Sequence, residues 1–139
     1  MALNEALQNI AIANNWEFKY ARRDYQNLYE ATQFIQDGIE GLGIGETVLF
    51  LDPVVRKYDR EGINYSGNFM ILTKSDLDDS YEGKFEKYIE PLEDKLTQMH
   101  RALGGCQFDI NDWTAIEVVN VFDFNADGMS IRFALKGYH

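Results

Sequence analysis

Six apolar residues set the frame of this chain. Phe85, Ile89, Leu92, Leu96, Met99 and Leu103 follow one another at spacings of 4, 3, 4, 3 and 4. Only an α-helix lines up such a row, because 3.6 residues per turn place these positions on one stripe. Pro91 falls inside the row, so the helix is expected to kink or divide there. Gly104-Gly105 follows, and glycine is favoured just past a helix C-terminus. The stripe needs an apolar surface to cover, and the rest of the sequence supplies strands.

Those strands are legible as pairs. Thr47 to Leu51 is a continuous β-branched and apolar run, which fits a strand covered on both faces. Pro53 follows and places an edge or bulge. Val54 to Tyr58 continues extended, and Asp59-Arg60-Glu61-Gly62 has turn chemistry, with Gly62 free to take positive φ. Ile63 to Thr73 returns with Tyr65, Phe69 and Ile71 on one face, so Glu46 to Lys74 is read as one long hairpin. Cys106 to Ile110 is read as a short strand and Trp113 to Phe124 as a long one. Asn125-Ala126-Asp127-Gly128 then turns the chain, and Met129, Ile131, Phe133 and Leu135 alternate on the way back as a second hairpin.

The N-terminal part is simpler. Leu3, Leu7, Ile10 and Ala11 predict a short amphipathic helix from Ala2 to about Ala13, ended by Asn14-Asn15. Trp16, Phe18 and Tyr20 alternate with charged residues and predict a half-buried strand. Residues 22–45 mix helical spacing with four glycines and are read as a candidate flexible arm that orders on assembly. The expected fold class is α+β: an antiparallel sheet with two long hairpins, packed by an N-terminal helix and a long second helix. The 139 residues leave room for a single domain.

Charge narrows the function classes. Thirteen basic residues against 23 acidic ones give a formal charge of −10. Such a surface repels phosphate at long range, which argues against nonspecific nucleic-acid binding and against docking on anionic lipid. One Cys excludes an internal disulfide and a Cys-based metal cluster. The start lacks a basic, apolar leader and no run of 18 apolar residues occurs, so the chain is expected to stay in the cytoplasm or in a particle assembled there.

Several groups invite a chemical reading, and each has a plainer one. His100 lacks a nearby nucleophile or acid and fits a surface histidine of the long helix. Cys106, among Gly, Gln, Phe and Asp, lacks the electropositive setting a reactive thiolate needs. Gly41, Gly43 and Gly45 precede a strand, whereas a phosphate loop follows one. Asp123, Asn125, Asp127 and Gly128 match the opening of a calcium loop, but its twelfth position is Ala134 in place of the chelating Glu, and the flanks alternate as strands. That set is the weak metal candidate; no cofactor is expected. Asp76 to Asp94 holds eight acids and two bases, including Glu86, Glu90 and Glu93. Arg56, Lys57 and Arg60, beside Tyr58, form a basic concentration at the first hairpin tip. Basic tip and acidic helix are complementary if they meet between two copies.

Three segments give the chain a recognisable texture: LFLDP from Leu49, YSGNFMILTKSDLDD from Tyr65, and VVNVFDFNADGMSIRFAL from Val118. Together with the order helix, strand, long hairpin, helix, hairpin, they resemble small α+β proteins that complete or terminate bacteriophage tails, and related neck proteins, of phages and prophages in Bacteroides-like bacteria. The resemblance implies a non-enzymatic virion structural protein. It implies a ring of copies of the chain, commonly six, at the head-proximal end of the tail tube, where head and tail connect. Partners would then be further copies, the tail-tube proteins and the neck or connector proteins, with DNA only passing through a lumen and no membrane. The alternative is a small-ligand-binding α+β domain or enzyme, with Trp16, Tyr20, Phe69 and Trp113 lining a cleft. Calcium binding at Asp123, Asn125 and Asp127 is a third reading.

Overall fold

In a computed structural model, residues 3–20, 35–75, 83, 85–105, 108–118 and 126–138 are described. The fold is a mixed α+β arrangement around a six-stranded sheet. Its elements are α1 (Leu3–Ala13), β1 (Glu17–Tyr20), a helical turn at 35–40, β2 (Thr47–Leu51), β3 (Val55–Tyr58) and β4 (Gly62–Lys74). A π-helical turn (Phe85–Ile89) leads into α2 (Glu90–Gly105), then β5 (Phe108–Val118) and β6 (Ala126–Tyr138).

The spine is β4 against β6. They run antiparallel for thirteen paired positions, from Gly62 opposite Tyr138 to Lys74 opposite Ala126. On the other flank of β4 the chain folds back in two pieces. β2 pairs with Phe69–Thr73 and β3 with Ile63–Ser66. The long first hairpin therefore exists, with its ascending limb broken around Pro53. β5 pairs with β6 and closes the opposite flank.

Four features depart from the sequence reading. β1 runs parallel to β2, so the sheet is not wholly antiparallel; alternation reports a half-buried strand but is blind to its direction. Phe108–Ile110 and Trp113–Val118 form one strand, because a bulge between Ile110 and Asp112 absorbs the break in alternation. Ala126, Asp127 and Gly128 belong to β6 and not to a turn. Gly62 does not use positive φ; a Cβ there would sit 1.8 Å from the Gly137 carbonyl oxygen, so the neighbouring strand's closeness demands glycine. Residues 119–124 of the expected Trp113–Phe124 strand and Asn125 of its turn, together with Cys106 and residues 22–34 of the expected arm, lie outside the described residues.

The helix ends follow local chemistry. Asn15 closes α1 with φ of 59°, while Trp16 N–H bonds to the Ala11 carbonyl at 2.8 Å and Asn15 N–H to that of Ile12 at 3.1 Å. That pair of bonds is the Schellman closure, with asparagine in place of glycine. Ahead of α2, Pro91 has no N–H to give the carbonyl four residues back, and its ring crowds that carbonyl. The wider π turn at Phe85–Ile89 sits where that conflict falls.

Both faces of the sheet carry apolar side chains, unequally. One face is covered by α1, the π turn and α2. Leu49, Leu51, Phe69, Ile71, Ile131 and Phe133 on the strands meet Leu3, Leu7, Ile89, Met99 and Leu103 on the helices, all fully buried or nearly so. Among the described residues, the opposite face has a smaller cluster in which Ile35, Ile39 and Leu42 cover Val48, Phe50, Leu72 and Ala126. Gly38 permits that approach, since a Cβ would stand 2.7 Å from the Phe50 ring. Of the segment read as an arm, residues 35–42 are thus packed on the sheet. Among the described residues no helix is long and apolar enough to cross a membrane.

Candidate partner-contact surface

The first hairpin tip brings Arg56, Lys57, Tyr58 and Arg60 to one exposed corner. β3 is four residues long and all four are exposed. Alternation splits the strand: Arg56 lies opposite Tyr65 and takes the helix-covered side, whereas Lys57 lies opposite Asn64 and takes the other. The Arg56 guanidinium sits 5.7 Å from the centre of the Tyr65 ring and donates to the Val54 carbonyl at 3.3 Å. Asp59 ties the corner together. Its Oδ1 accepts from the N–H groups of Glu61 and Gly62, each at 2.9 Å. Its Oδ2 accepts from Asn64 Nδ2 at 2.9 Å and from Lys136 Nζ at 3.0 Å. Lys136 reaches Glu61 as well, at 3.0 Å.

These contacts set the ionisation of the pair. The bond from Lys136, then those from Asn64 and the two backbone amides, hold the Asp59 carboxyl well below the usual carboxylate range. The same bond from Asp59, with that of Glu61, pushes Lys136 above the ordinary lysine value. Farther along the same open face, Arg132 pairs with Asp112 at 2.9 Å, and the Thr114 hydroxyl donates to the other Asp112 oxygen at 2.6 Å. The Thr114 and Arg132 bonds lower Asp112 in the same way. The Tyr138 hydroxyl donates to Asp109, which raises its own pKa. No single sequence window contains this network: Asp59 and Lys136 are joined by the β4–β6 register, and the readable sign was only the turn chemistry at Asp59.

The acidic residues of the long helix are also exposed: Glu86 on the π turn, and Glu90 and Glu93 in the first turn of α2. Negative charge is favourable at a helix N-terminus, which accounts for Glu90 and Glu93 locally. Among the described residues the basic corner and this acidic row form no ion pair with each other.

The aromatics expected to line one cleft are dispersed. Trp113 and His100, in edge contact at 5.8 Å, border a hollow of about 320 Å³ between α2 and β5, with Leu96, Thr97, Arg101 and Ala115. Trp16 borders a different hollow of about 220 Å³ with Thr47, Thr73, Lys87 and Lys95. Phe69 is fully buried in the core, and Tyr20 is 39% exposed on β1. Of the calcium candidates, Asp127 is fully buried inside β6, opposite Thr73, while Asp123 and Asn125 lie outside the described residues. Among the described residues no three His, Cys, Asp or Glu gather to hold a metal ion.

No family model, no curated protein and no solved structure matches the chain. Its surface has to be read from its own chemistry.

Proposed function

We propose that the chain is a non-enzymatic structural subunit of a virion, one copy of a homo-oligomeric ring at the head-proximal end of a phage tail. The observation that carries this reading is that, among the described residues, β3 and β5 are each paired on one side only, on opposite flanks of one sheet. β3 on one flank is wholly exposed, and so are Thr114 to Glu117 of β5 on the other. A subunit with sticky edges on two sides can meet a copy on each, and such head-to-tail contacts close into a ring when the rotation allows. Val55, Tyr58 and Ile116 support the same reading, being large apolar side chains left in solvent at those edges. The charge of −10 suits a lumen that lets DNA slide past without counterion-releasing contacts.

Native mass spectrometry and electron microscopy of the full chain test this. Discrete closed multiples, found also in virions that carry the protein, are the expected result. A competing reading rests on the hollow beside Trp113, where His100, Arg101 and Thr97 offer polar groups to a small molecule. A small molecule that raises the melting temperature in a saturable way, and loses that effect in Trp113→Ala, would favour it.

A further inference from the structure

The ring reading leaves open which edge meets which, and the residues on the two flanks differ in charge. β3 carries Arg56 and Lys57, with Arg60 at the following turn. β5 carries Glu117 within its regular stretch, beyond the bulge between Ile110 and Asp112. Asp112 and Asp109 are already engaged by Arg132 and Tyr138. Glu117 and Lys57 are exposed and make no ion pair among the described residues. Exposed edge strands bind other strands unless something blunts them, and here each edge has an apolar residue in solvent: Val55 at 59% and Ile116 at 65%.

Resting on the ring reading, we propose that β3 of one copy adds to the free edge of β5 in the next, continuing the sheet from copy to copy. The faces match. Arg56, opposite Tyr65, and Glu117, opposite Met129, both project from the helix-covered side. Lys57 and Ile116 both project from the other. The direction follows from sterics. β1 and β2 occupy the Phe69–Thr73 end of the β4 flank, and β3 the Ile63–Ser66 end. An antiparallel neighbour carries the body of β5 away from β1, whereas a parallel one drives it across β1. Antiparallel register then sets Arg56 across from Glu117, with Lys57 across from Ile116. Cross-strand pairs of opposite charge stabilise such a junction, and like charges oppose it. The two surfaces differ, so the contact is head-to-tail and propagates.

The test is a charge swap on the full chain. Arg56→Glu alone sets two carboxylates against each other at the junction, and Glu117→Arg alone sets arginine against arginine. Each variant is expected to weaken assembly about tenfold or more, read by sedimentation velocity and native mass spectrometry. Both sites are exposed, so circular dichroism should show the native fold. An equimolar mixture of the two variants, alternating around the assembly, restores opposite charges at every junction and should assemble as the wild type does. Single variants that assemble like wild type, or a mixture no better than its parts, overturn the contact while leaving the ring standing. A wild-type chain that stays monomeric in phage-free and phage-derived preparations overturns both.

Discussion

The two faces of the sheet show how one set of strands serves two purposes. On the helix-covered face, Phe69 lies between Trp113 and Phe133, with ring centres 5.5 and 5.9 Å away, under α1 and α2. On the opposite face, among the described residues, only the Phe50 end is covered, by residues 35–42, and the rest bears Asn64, Lys136, Asp112 and Arg132. The first face supplies most of the buried apolar area and hence most of the stability. The second leaves a charged, hydrogen-bonded surface that costs little to expose.

Truncations measure that asymmetry. Phe69→Ala should have the largest effect, about 5 kcal/mol at the upper end for buried aromatics, read by denaturant unfolding. Phe50→Ala, in the smaller cluster, should cost about 3 kcal/mol in the same experiment. Equal losses would mean that the two faces are packed alike. Gly128→Ala probes the seam shared by both, since its Cβ would stand 1.8 Å from the Ile71 carbonyl oxygen and force β4 and β6 apart. A loss of about 2 kcal/mol is expected. The smallest effect belongs to the open face. Asp59 has a depressed pKa when folded, so its contribution is present above the ordinary value of 3.8 and fades as pH falls below it. Lys136 has a raised pKa, so its contribution persists below 10.5 and is lost only as pH rises beyond. Asp59→Asn should therefore lower the melting temperature slightly at pH 7, and by progressively less as the pH falls below 3.8. The reverse order would remove Asp59 from the account of that corner.

Legibility in the sequence divides along the same line. The helix-covered face was readable, because the rows at Leu3–Ala11 and Phe85–Leu103 and the alternation through Tyr65, Phe69 and Ile71 repeat at the period of their own element. What escaped depends on distant residues meeting. Nothing in Glu17–Tyr20 announces a parallel partner at Thr47–Leu51. Asp127-Gly128 has the composition of a hairpin turn, yet glycine is needed there for the closeness of Ile71 across the strand. The basic corner at Arg56, Lys57 and Arg60 was visible as composition; its brace at Lys136, 77 residues from Asp59, was not. The β5 edge was hidden because the bulge after Ile110 made one strand read as two.

The central claim is that the chain acts through the edges of its sheet, in a closed assembly of copies. Native mass spectrometry of the wild-type chain over a concentration series tests it most directly. One dominant species at a fixed multiple of 16.1 kDa, unchanged on further concentration, is the expected result. A persistent 16.1 kDa monomer, or a ladder that lengthens without limit, would contradict it.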